Sequence, residues 1–149
     1  MRIMVCYDDS DESSQVLWEA IKHAKAFNAE VMLVMSATDN NRYNAEVVEF
    51  FAGILKEGQV LFDKNNIVCT THISYRKADM SVGEDLVNFA RKEQVDVIFL
   101  GIRARSRIGK FLIGSVAQYV ILNADCPVIG VKKNKSEPDR KKGVLKDAA

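Results

Sequence analysis

Hydrophobic and polar positions along the chain follow two alternating rhythms. Short apolar runs rich in β-branched residues recur at 3–7, 30–36, 67–75, 96–100 and 127–131, each too short for a helix and bounded by polar residues, and these predict five strands. Between the first two, Leu17, Ala20, Ile21 and Ala24 fall on one face of a helix whose start Asp9 or Ser10 is placed to cap. Val47, Phe51, Ile54, Leu55, Gly58, Leu61 and Phe62 hold the same period through a longer second helix. Ser81 and Glu84 have capping-box spacing ahead of Leu86, Val87 and Ala90, and Ile113, Val116, Ala117, Val120, Ile121 and Ala124 mark a fourth helix.

The strand and helix units alternate throughout. That order predicts an α/β fold, a single doubly wound, five-stranded, mostly parallel sheet with helices on both faces, because parallel neighbours need long right-handed crossovers. Ligands of such sheets bind at the carboxyl ends of the strands, near the point where strand order reverses. The segments after Tyr7, Ser36 and Leu100 are therefore where function is expected.

Composition narrows the partners. A chain of 149 residues with 48% apolar content can bury one such core. Its 21 Lys and Arg against 20 Asp and Glu leave no net field to attract nucleic acid or an anionic membrane. Cys6, Cys69 and Cys126 are an odd set without paired spacing or a His cluster, which fits packed, reduced thiols of a cytoplasmic protein better than disulfides or zinc. The amino terminus runs straight into strand-like sequence without a signal-peptide pattern. No window approaches the ~20 apolar residues that span a bilayer. From Lys132 onward the residues are mostly charged, so 1–132 is expected to form the domain and 133–149 a disordered charged tail.

Candidate chemistry concentrates in residues 101–116, which leave a buried strand and enter a helix. Glycines let a backbone approach an anion, and the amides of Gly114, Ser115 and Val116 would lie in the first turn of that helix, where N–H groups and the dipole favour negative charge. Arg103, Arg105, Arg107 and Lys110 add cations. The same spacing also describes a solvated basic loop with Gly114 and Ser115 as a plain cap, and spacing alone leaves both readings open. Asp8, ending the first strand, reads either as a ligand contact or as a turn residue. His23 reads as a surface residue, His72 as a half-exposed sheet residue and Trp18 as packing. The chain has no Walker phosphate loop, dinucleotide fingerprint, nucleophile elbow or metal-spaced histidines. No catalytic or metal-binding residue is therefore assigned, and any hydrolysis is expected to be slow or incidental.

Three stretches resemble the universal stress protein family. Its nucleotide-binding members carry Gly, two residues, Gly, nine residues, then Gly-Ser or Gly-Thr after the fourth strand; here Gly101, Ala104, Gly114 and Ser115 occupy those places, with alanine for the second glycine. Val5 to Ser10 stand at the family's first-strand ending, with Asp9 where many relatives have glycine, and Ala124 to Val131 as its last strand. The resemblance covers roughly residues 1–132. It implies an adenine nucleotide alpha hydrolase-like, Rossmann-like fold and a site for ATP, with Mg2+ as a possible companion. Asp8 would contact the adenosine, Ser36 and Leu100 would border the base, and Gly101, Arg103, Ala104, Gly114, Ser115 and Val116 would surround the ribose and phosphates.

The resemblance makes an ATP-binding regulatory protein the leading reading. The alternative is a dimeric stress-response interaction module that holds no nucleotide, as some relatives without the glycine motif do, and Ala104 moves the chain part way toward it. A small hydrolase or nucleotidyl transferase is disfavoured, since no general base or metal constellation accompanies the loop. Family topology makes the last strand a sheet edge, so a homodimer through Val128, Ile129 and Val131 is expected.

Overall fold

The computed structural model describes residues 1–8, 10–103, 105–107 and 110–133. In chain order these form β1 (Arg2–Cys6), α1 (Asp11–Phe27), β2 (Glu30–Thr38), a 3-10 turn (Asp39–Tyr43), α2 (Ala45–Lys64) and β3 (Cys69–Arg76). They continue through α3 (Val82–Lys92), β4 (Val97–Ile102), β5 (Arg105–Arg107), β6 (Lys110–Leu112), α4 (Ser115–Asn123) and β7 (Val128–Lys132). The main sheet is five-stranded in the order β3-β2-β1-β4-β7, and its pairs are all parallel. From β1 the chain winds outward through β2 and β3 and then returns to β1's other side as β4. The crossovers leaving β1 and β4 therefore diverge, and a crevice opens at their carboxyl ends.

Alternation along each strand divides the core into two layers. Ile3 and Val5 of β1, Leu33 of β2 and Phe99 of β4 face α1 and α2, where Val16, Leu17, Ala20, Leu55 and Phe62 complete one buried cluster. Met4, Val34, Ile98 and Leu100 face the other way, against Leu86, Val87 and Ala90 of α3 and Ala117 and Val120 of α4. The apolar faces read for the first three helices are the ones turned to the core, with Val47, Phe51 and Ile54 of α2 partly buried. On α4 the expectation is met only in part, because Ile113 precedes the helix and Ile113, Val116 and Ile121 are exposed while Ala117 and Val120 are buried. A helix running only from Ser115 to Asn123 presents a narrow strip to the sheet, too narrow for the whole apolar set.

Two close approaches fix the α3/α4 layer. A Cβ on Gly83 would lie 2.7 Å from Tyr119 Cβ, so α4 can rest on α3 there only because the position is glycine. On β7, Ile102 crosses over Gly130, where a Cβ would clash with it. The segment read as a loop after β4 contains a small antiparallel ribbon pairing Arg105 with Leu112, Ser106 with Phe111 and Arg107 with Lys110. Ala104, Asp9 and the expected tail from residue 134 onward lie outside the described residues. Among the described residues no helix is long and apolar enough to cross a membrane.

Candidate functional site

A cleft of about 420 Å³ opens between the carboxyl ends of β1, β2 and β4 and the amino ends of α1, α3 and α4. Cys6, Val34 and Leu100, from the strand face turned toward α3 and α4, form its floor. Val82 and Leu86 of α3 and Ile113, Val116 and Ala117 around α4 wall its apolar part. The polar part is lined by Asp8, Ser10, Ser13, Arg103, Gly114 and Ser115. Sequence separation thus brings Asp8, Ser36, Leu100, Gly101, Arg103, Gly114, Ser115 and Val116 to one surface; Ala104, the remaining residue of that set, lies outside the described residues.

The helix starts differ in how their unpaired amides are met. Asn44 accepts from the Glu46 and Val47 amides of α2 at 3.1 and 3.3 Å, and Ser81 accepts from Glu84 of α3 at 3.1 Å, as its capping-box spacing predicts. At α1 the boundary residue Ser10 makes no side-chain cap bond. Instead, Oδ1 of Asp8 accepts from the Ser10 amide at 3.0 Å and from the Ser13 hydroxyl at 2.8 Å, putting a carboxylate at the positive end of that helix. α4 begins at Gly114, which has no side chain to offer. Its first ladder bond runs from Gln118 to the Gly114 carbonyl at 2.9 Å, so the amides of Ser115, Val116 and Ala117 precede the ladder, at the rim of the cleft.

Gly114 is not there for its backbone. Its φ of −56° and ψ of 150° suit any residue, and a Cβ added to it would meet nothing within 4 Å among the described residues. What the glycine supplies is space in front of the helix, which permits the close backbone approach read from the sequence.

Electrostatics separates the two acidic groups nearby. Burial pushes the Asp8 carboxyl up, but hydrogen bonds from Ser10 and Ser13, aided by the charge of Arg103, outweigh it and hold Asp8 below the ordinary range. Arg103 therefore lies within electrostatic reach of Asp8 across the point where the sheet reverses. Burial, reinforced by the Asp8 charge, pushes the Cys6 thiol up to about 12, so it is a neutral, unreactive floor residue. Among the described residues no group of His, Cys, Asp and Glu is clustered to hold a metal ion.

Sequence reasoning missed Asp85. This carboxylate on α3 is only 6% exposed, and it accepts from the Ser36 hydroxyl at 2.5 Å and from the Ser74 hydroxyl at 2.8 Å. An acid in the first turn of a helix reads in sequence as a dipole complement, and nothing local announces partners on β2 and β3. His23 also departs from its surface reading, since its ring meets Phe99 edge-on at 4.9 Å and its Nδ1 lies 3.0 Å from the Glu19 carbonyl.

Comparison with known proteins agrees with this geometry. Residues 1–132 match the model of the universal stress protein family. A universal stress protein of Methanocaldococcus jannaschii is 34% identical over 143 residues, 91% of this chain and 84% of that protein. The structure of a universal stress protein from Archaeoglobus fulgidus superposes with a TM-score of 0.76 at 30% identity, covering 89% of this chain and 93% of the other. A structure of the universal stress protein from Archaeoglobus fulgidus in complex with dAMP has a TM-score of 0.72 at 28% identity, covering 89% and 98%.

Proposed function

The chain belongs to the universal stress protein family, and on that premise we propose that it is a regulatory protein that binds ATP or another adenine nucleotide in the cleft. The observation that carries this reading is the open start of α4. Of the three helices that begin at the cleft, α4 is the one that starts at a glycine, with open space before it among the described residues and Arg103 on the same wall. That is an arrangement for an anion. The phosphates lie against Gly114, Ser115 and Val116, Asp8 takes a ribose hydroxyl, and the base rests over Val34, Ser36 and Leu100. A relative crystallised with dAMP supports the same class of ligand.

The site is built for occupancy rather than turnover. Cys6 is a neutral thiol, and Asp8, committed to Ser10 and Ser13, is a poor proton acceptor. Nucleotide binding then sets conformation or partner choice. The edge position of β7 supports a homodimer through that strand, which Ile129→Lys should push toward monomer in sedimentation. Exposed Ile121 and Leu122 on α4 favour the second reading, an interaction module without nucleotide.

Melting with and without nucleotide separates the two. ATP at a hundred times its Kd stabilises the native state by about 2.7 kcal/mol, a shift of about 5 to 11 °C for a domain of this size. Acid extraction of the purified protein should also release adenine nucleotide. No shift at millimolar ATP with magnesium would leave the interaction module as the function.

A further inference from the structure

We propose that Asp85 is a positioning residue that turns Ser36 into a fixed hydrogen-bond acceptor, so that the site selects a purine carrying an amino group over one carrying a carbonyl at the same carbon. The inference rests on the nucleotide reading above and names what reads the base.

Ser36 follows Val34 on the strand face that floors the cleft, and it lines that cleft itself. A serine hydroxyl has one proton and two lone pairs, and ordinarily rotates to suit either kind of partner. Here its proton is committed to Oδ2 of Asp85 at 2.5 Å. Arg76 Nη1 donates to the Ser36 hydroxyl oxygen at 3.3 Å, which occupies one of its lone pairs. Asp85 cannot turn away, because Ser74 donates to its Oδ1 at 2.8 Å and the residue is buried in the first turn of α3. Arg76 is likewise tied, donating from Nε to the Met80 carbonyl at 3.2 Å. The lone pair that remains on Ser36 can only accept. A base amino group satisfies it, whereas a carbonyl oxygen would set two acceptors against each other, and a buried polar group left unpaired is costly.

Three nucleotides test this directly: ATP, ITP, which has a carbonyl in place of the amino group, and the triphosphate of purine riboside, which has hydrogen there. Dissociation constants from calorimetry on the full chain should favour ATP over both by about fivefold or more, the weight of one such hydrogen bond. In Asp85→Asn the carboxamide can donate to Ser36 and free its proton, so the ATP-to-ITP ratio should fall toward one. Ser36→Ala should remove the preference over the purine riboside form, with far-UV circular dichroism confirming that both variants are folded. A change that merely loosened the fold would weaken all three ligands together and leave the ratios intact, and unchanged ratios in both variants would overturn the proposal. Equal wild-type affinity for all three would overturn base reading alone, whereas binding of none would remove the nucleotide reading beneath it.

Discussion

The two faces of the sheet are organised differently. On the α1/α2 side, long helices of 17 and 20 residues close over a continuous apolar cluster in which Phe62, Leu17 and Val16 are essentially inaccessible. On the α3/α4 side the helices have 11 and 9 residues, glycine mediates their contact, and Leu122 remains 73% exposed. The cleft lies on that second side. One layer is closed over its core, and the other gives up burial where helix starts and strand ends open into the cleft.

The contrast is sharpest in the first layer. Phe62→Ala should cost about 3 to 5 kcal/mol, read as a lowered urea midpoint, and nucleotide affinity measured well below the transition should stay close to wild type. If affinity fell with stability, the layers would not be separable.

In the second layer the largest structural effect is expected at Gly83. Gly83→Ala brings a methyl group within 2.7 Å of Tyr119 Cβ, and overpacking of this kind costs about 1 to 3 kcal/mol. Alanine's better helix propensity works against that loss, so a net decrease in melting temperature marks the steric contact. The double variant Gly83→Ala with Tyr119→Ala keeps the Cβ contact and relieves only those to Cγ and Cδ1 at 3.0 and 3.1 Å, so most of the loss should remain.

A smaller effect belongs to the capped helix starts. Ser81→Ala removes the acceptor for the Glu84 amide and should cost about 1 kcal/mol, without changing the affinity at the uncapped end of α4. The smallest concerns Asp8. Its folded pKa is depressed, so its contribution to stability is present above the ordinary Asp value of about 4 and is lost as pH falls through the lower folded value. Asp8→Asn should therefore lower stability slightly near neutrality, where the contribution is present, and flatten the acid limb of the stability curve.

How much of this was legible beforehand follows the same division. The α1 face of Leu17, Ala20, Ile21 and Ala24 is buried as its period says, because a helix laid against a wide sheet must hide a full stripe. The Ser81 cap was readable because both partners are local. The placing of Asp8, Ser36 and Gly114 at one end of the sheet follows from topology, since strand order decides which loops diverge. The ribbon of Arg105–Arg107 and Lys110–Leu112 left no signal, being too short and too charged for a period. Ile113 and Ile121 share the apolar period that marks α4 yet are exposed, because apolarity leads to burial only where a neighbour exists to bury against. Asp85 was invisible for a related reason: its partner Ser36 is 49 residues away in sequence, and pairings at that distance are set by the tertiary fold alone.

The central claim, that the open start of α4 receives the phosphates, is tested most directly by closing it. Gly114→Asp suits the backbone dihedrals and the empty space at that position, and its carboxylate would cap the first amides of α4 itself. The account predicts opposite signs from one substitution: a melting temperature without ligand equal to or slightly above wild type, and ATP affinity reduced by about a hundredfold or more, as charge repulsion and lost amide contacts combine. Wild-type ATP affinity in a folded Gly114→Asp protein would contradict it.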